Sequence, residues 1–144
     1  MKQNKMRKIT KESISAFLNA RSFKKSNTEV EVKPNVTILK LYGNEIAYLY
    51  NDPNRTLSIT NCGWETNTTK ERLNGLPTVR INVKKGSWFL NDNEWNGKLK
   101  DIHLAKAQTE YLENMKKSGK AIENFERYME LKEMSLDEFM EEIY

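Results

Sequence analysis

One histidine and one cysteine are all that this 144-residue chain offers for nucleophilic or soft-metal chemistry. A structural zinc site takes four nitrogen or sulfur ligands, and a cysteine nucleophile needs a base, normally histidine, within hydrogen-bond reach. Cys62 precedes a glycine, and His103 lies far downstream between Ile102 and Leu104. Cys62 therefore reads as a small packed thiol at a strand end, and His103 as a surface or packing residue. The carboxylate pairs Asp137-Glu138 and Glu141-Glu142 are neighbours on an acidic helical end, which is the pattern of a solvated face. No Asp-x-Asp ends an apolar strand, so a two-metal nuclease is unsupported. The glycines are isolated, with neither a P-loop nor a dinucleotide fingerprint. These residues predict a protein that is not an enzyme and uses no metal and no cofactor.

What remains is charge and aromatic surface. Lys5, Arg7, Lys8 and Lys11 crowd the first eleven residues, and Lys24 and Lys25 extend the run. Lys84 and Lys85 stand close to Trp88 and Trp95. Lysines neutralise phosphates, and aromatics among them stack bases, so these ten residues are the candidate contacts for non-specific nucleic-acid binding. The competing reading is a solvated basic leader with inward-packed tryptophans. The formal charge of +4 hides an asymmetry: residues 1–100 carry 18 Lys+Arg and 9 Asp+Glu, residues 101–144 carry 6 and 11. Thr66, Thr68, Thr69, Lys70 and Arg72 surround a predicted helix start, where threonines either cap the helix or help hold a phosphate. The acidic end offers a second surface. Leu136, Phe139, Met140 and Ile143 recur at helical spacing, with Tyr144 beyond them. That stripe either folds back, shields the basic surface, joins two copies as a homodimer, or docks on a host protein.

The elements that must position these groups follow from periodicity. Ile9, Ile14, Phe17, Leu18 and Phe23 predict a helix over 10–24. Alternation then predicts strands over 28–33, 36–42, 45–50 and 56–61, joined by tight turns into an antiparallel meander. Thr68 and Glu71 form a capping-box pattern that predicts a helix over 69–75. Residues 78–91 read as a hairpin bearing Trp88. Trp64, between a turn glycine and that helix, is expected to be a buried corner anchor. From residue 101 the period becomes helical, and Ser135 with Glu138 predicts a last helix over 136–143. The fold class is α+β: an N-terminal helix, an antiparallel sheet of about four strands, a short helix plus a Trp-bearing β-hairpin, and a helical C-terminal appendage. The domain reading is a core over 1–100 with a basic arm, and an acidic helical appendage over 101–144. The apolar runs are too short to span a membrane.

The strings ITNCGWETNTTKERLNGL and KKGSWFLNDNEWNG resemble a family of small, mostly uncharacterised bacteriophage proteins. That family carries a GW-x-T-x-TTK-x-RLN element and a later G-x-W-x-L…W-[DN]-G element. The resemblance covers roughly residues 12–97. It implies a phage origin and action in the cytoplasm of the infected host cell, and no particular activity. A phage accessory protein that binds nucleic acid is the leading expectation. A host-takeover or anti-defence protein that inhibits a host protein through its C-terminal helices is the alternative.

Overall fold

The computed structural model describes residues 7–144; Lys5 lies outside the described residues. Helix α1 spans Lys8–Leu18 and buries Ile14, Ala16, Phe17 and Leu18. It is shorter than its apolar pattern predicted. Ala20 turns left-handed at φ 51°, and the Arg21 N–H reaches back to the Ala16 carbonyl, the Schellman closure of a helix. Phe23 therefore belongs to a strand. Strand β1 (Phe23–Lys25) is followed by β2 (Thr28–Val32), β3 (Val36–Leu41), β4 (Asn44–Tyr50) and β5 (Thr56–Ile59).

These strands form the predicted antiparallel meander, but the sheet has six strands rather than about four. Its order is β1-β2-β3-β4-β5-β9, with β9 (Lys100–His103) paired to β5. A second sheet has the order β6-β7-β8: β6 (Ile81–Lys84), β7 (Ser87–Leu90) and β8 (Asn93–Glu94). Helix α2 (Asn67–Asn74) links the two sheets. Its cap is Thr66 rather than Thr68, with the Thr66 hydroxyl accepting from the Thr69 N–H at 3.2 Å.

Four helices complete the described chain: α3 (Leu104–Lys117), α4 (Lys120–Glu123), α5 (Phe125–Glu133) and α6 (Leu136–Ile143). The capping box of Ser135 and Glu138 forms as predicted. Leu104, Leu131, Phe139 and Met140 join the same apolar cluster as Phe17, Leu39, Leu49 and Leu57. Tyr111 meets Phe139 edge-on at 5.5 Å between centroids, and Arg55 on the sheet side pairs with Asp137 at 2.8 Å. The acidic end thus packs on the core, and the expected boundary at residue 100 falls inside a strand. No helix among the described residues is long and apolar enough to cross a membrane.

One face of the large sheet supplies the cluster: Val30, Leu39, Leu41, Ala47, Leu49, Leu57 and Ile59. The other carries Glu29, Glu31, Lys40, Glu45, Tyr48 and Tyr50, all partly or fully exposed. Cross-strand neighbours there run Lys24, Glu29, Lys40, Glu45 in alternating sign.

Candidate nucleic-acid interface

The chain's two reactive side chains sit at opposite ends of β5. The Cys62 thiol, just past that strand, donates to the Glu45 carbonyl at 3.1 Å. Burial, then the charge of Glu45, pushes its pKa up, which disfavours a thiolate. His103 stands opposite Thr56, its Nδ1 3.3 Å from the threonine hydroxyl. Among the described residues, no group of three or more His, Cys, Asp or Glu is placed to hold a metal.

The basic residues divide into three places. Lys24 projects onto the mixed sheet face opposite Glu29. Lys84 and Lys85 lie at the β6–β7 turn, where the Lys84 ammonium sits 5.7 Å from the centre of the Phe89 ring. Arg7, Lys8 and Lys11 gather at the start of α1. Residues 7–25 hold six Lys or Arg against the single Glu12. Lys25 pairs with Glu12 at 3.4 Å and Arg7 with Glu71 at 3.8 Å. Lys8 and Lys11 have no ion-pair partner among the described residues. The first turn of α1 contains no acidic residue. Cations at the positive end of a helix dipole each cost about 0.3–1 kcal/mol at low ionic strength. The sequence has placed three there, an arrangement that an approaching anion would relieve.

Trp88 and Trp95 are not available as base stackers. They are only 4% and 9% exposed, with their rings 6.4 Å apart. The Trp95 Nε1–H donates to the Lys98 carbonyl at 2.9 Å. The strand period explains this, because Trp88 and Leu90 share the face of β7 that enters the core. Phe139 and Met140 are likewise buried, and Leu136, Ile143 and Tyr144 are half-buried against the core. Of the placements open to this stripe, which included docking on a partner, the structure shows it folded back on the core.

The aromatic surface that does exist lies elsewhere. Trp64, expected to be buried, is 57% exposed, and Tyr42 is 72% exposed. Together they flank a cleft of about 280 Å³ whose floor is Leu41 and Ile46, with Thr66 and Thr69 on the α2 side. Two tight turns set this geometry. Tyr42 and Gly43 both have positive φ between β3 and β4, the pattern of a type I′ hairpin. Cys62 and Gly63 repeat it, closed by the Trp64 N–H donating to the Asn61 carbonyl at 2.8 Å. Asn61 reinforces that turn by accepting the Gly63 N–H on its Oδ1. The Asn61 N–H and the Thr60 hydroxyl both donate to the Gly97 carbonyl. The two tryptophan–glycine elements of the sequence are thereby locked together, and the lock turns Trp64 outward.

A buried network joins the cleft to the basic end of α1. Arg72 is fully buried, so it is closed to a bound phosphate. Its Nε donates to the Thr28 hydroxyl at 3.1 Å, its Nη1 to the Thr10 hydroxyl at 2.7 Å, and its Nη2 to Asn27 Oδ1 at 3.5 Å. Nη1 also pairs with Glu71, the carboxylate that Arg7 approaches from outside. Burial lowers the Arg72 pKa, and the Glu71 charge opposes that fall. On the far side, the Asn27 carbonyl accepts the Tyr42 N–H. The chain of contacts from Arg7 through Glu71, Arg72 and Asn27 to Tyr42 is continuous.

A family model described as Kyanoviridae Gp96 protein matches residues 6–101. No curated protein and no solved structure matches the chain.

Proposed function

Because this chain belongs to the Kyanoviridae Gp96 protein family, a phage protein family, we propose that it is a non-enzymatic phage accessory protein that binds nucleic acid. The reading rests on one observation: Arg7, Lys8 and Lys11 crowd the positive end of α1 without an acidic residue in that turn. Lys25 and the more distant Lys84 and Lys85 are additional phosphate contacts. Binding of this kind is steered by charge, reads little sequence and falls steeply with salt. It takes place in the infected host cell.

The test is a salt titration by fluorescence anisotropy with labelled single-stranded and duplex DNA. Replacing Arg7, Lys8 and Lys11 with Gln should flatten the plot of log affinity against log salt. The expected change is about 0.9 in slope for each lost phosphate contact on duplex, and about 0.7 on a single strand. Failure of the parent protein to bind any DNA or RNA at low salt would discard the reading.

A second reading has its own observation. Ile122 and Phe125, on α4 and at the start of α5, are 85% and 62% exposed. Apolar side chains presented this way suit a host-protein contact, which takes the place of the stripe now found packed on the core. Loss of a co-purifying host protein in an Ile122→Ser/Phe125→Ser variant would support it.

A further inference from the structure

We propose that the cleft between Tyr42 and Trp64 receives one unpaired nucleobase, so that the nucleic acid recognised by this protein is single-stranded. This inference rests on the nucleic-acid reading and names the substrate class of that surface. Three features carry it. The first is chemical: the walls are two exposed aromatic rings over an apolar floor of Leu41 and Ile46. Every base has a π face, so such a pair accepts bases without reading their identity. The second is size. At about 280 Å³ the cleft falls at the lower end of small-ligand pockets, which suits a planar ring system rather than an extended chain. The third is charge. The Asn27–Arg72–Glu71 network links the Tyr42 backbone to Arg7, so the cleft and the cations at the start of α1 are held by one set of contacts. A strand whose phosphates are drawn to those cations has the cleft as an aromatic site for one of its bases.

The polar rim is compatible with this occupant. The hydroxyls of Thr66 and Thr69 lie 3.0 Å apart, and the Thr66 hydroxyl is already engaged by the Thr69 N–H. Asn44, which also lines the cleft, adds an amide whose donors and acceptor can meet the edge of any base. A base inside a duplex presents no free face, so a duplex can reach the lysines and not the cleft. The structure thereby predicts a preference for single strands that resides in Trp64 and Tyr42, separable from the salt-dependent attraction that resides in Arg7, Lys8 and Lys11.

The experiment uses the full chain, an oligothymidylate strand and a blunt duplex of equal length. Three variants are compared with the parent: Trp64→Ala, Trp64→Phe and Tyr42→Asn. Asparagine is chosen because Tyr42 has φ 52°, a conformation asparagine tolerates. Circular dichroism verifies that each is folded. The expected result is that Trp64→Ala weakens single-strand binding by about 5- to 150-fold, the range for one lost stacked base. Tyr42→Asn should behave similarly, Trp64→Phe should retain most of the affinity, and duplex binding and both salt slopes should stay unchanged. Equal effects of Trp64→Ala on strand and duplex, or none on either, would overturn the cleft assignment and leave the basic-surface reading standing. Protection of Trp64 from iodide quenching by a host protein, but by no oligonucleotide, would also overturn it. Absence of any DNA or RNA binding by the parent would overturn both readings together.

Discussion

Arg72 is the residue whose removal the structure makes most costly. It is fully buried beneath α1 and donates to Thr10, Thr28, Asn27 and Glu71. Replacing it with alanine leaves buried threonine hydroxyls without their donor and leaves Glu71 with only the more distant Arg7 as a charge partner. Losing a buried guanidinium with its hydrogen bonds to two buried hydroxyls, to Asn27 and to a part-buried carboxylate costs about 3–5 kcal/mol. For a chain of this size each kcal/mol moves Tm by about 3 °C, so Arg72→Ala should melt about 10–15 °C below the parent. Arg72→Lys keeps the charge but not the planar fork, and should fall between the two. Thermal denaturation by circular dichroism reads all three proteins. A Tm for Arg72→Ala within about 2 °C of the parent would refute the argument, because it would mean that the network is solvated or dispensable. A double-mutant cycle with Glu71→Gln then isolates the pair: strong coupling is expected, and additivity would locate the cost in packing alone.

Three further outcomes follow. Gly97→Ala should destabilise by about 1–3 kcal/mol or more, since φ is +83° and a Cβ would collide with the Asn61 side-chain amide; Gly119→Ala, at φ +81° in open space, should cost only the conformational strain of about 1–2 kcal/mol. Trp64→Ala should stay within about 0.5 kcal/mol of the parent in urea denaturation, whereas Trp88→Ala should lose about 3–5 kcal/mol. Burial, followed by the hydrogen bond to Glu45, raises the Tyr48 pKa to about 12. Its folded value lies above the unfolded one near 10, so the stability it contributes is complete below about pH 10 and is lost as pH climbs toward 12. Ultraviolet titration should show a tyrosine component near pH 12 that disappears in Tyr48→Phe.

The meander was legible because β2 to β5 combine β-branched alternation with tight-turn dipeptides, two local signals that agree. Strands β1 and β9 were not. Phe23-Lys24-Lys25 and Lys100–His103 carry one apolar side chain each, so their strand state comes from the neighbour they pair with rather than from any period of their own. Residues 101–103 of β9 were instead absorbed into the following helix. The tryptophans failed in the opposite direction. Their size predicted burial for Trp64, and for Trp88 and Trp95 their lysine neighbours set a stacking role against the inward packing that the structure shows. Orientation was decided by features that composition does not carry: strand parity at Trp88, and at Trp64 a turn pinned from Gly97. The basic cluster at the start of α1 was legible as charge. That it opposes a helix dipole became visible only once the helix was found to begin at Lys8.

The pairing of β5 with β9 also has a consequence in time. Strands β1 to β5 pair with near neighbours in sequence, so the meander can form from local contacts. Leu57 meets Ile102 only after a closure of some forty residues, an entropic cost of about 3 kcal/mol. Local pairings are therefore expected to precede this one, both in refolding and during synthesis. Until residues 100–103 arrive, the apolar strand Thr56–Ile59 has one bare edge, the kind of edge that invites pairing with another chain. The small sheet, made in between, occupies that interval. The short, charged Lys100–His103 strand then closes the edge and leaves in its place one that a second molecule finds harder to extend.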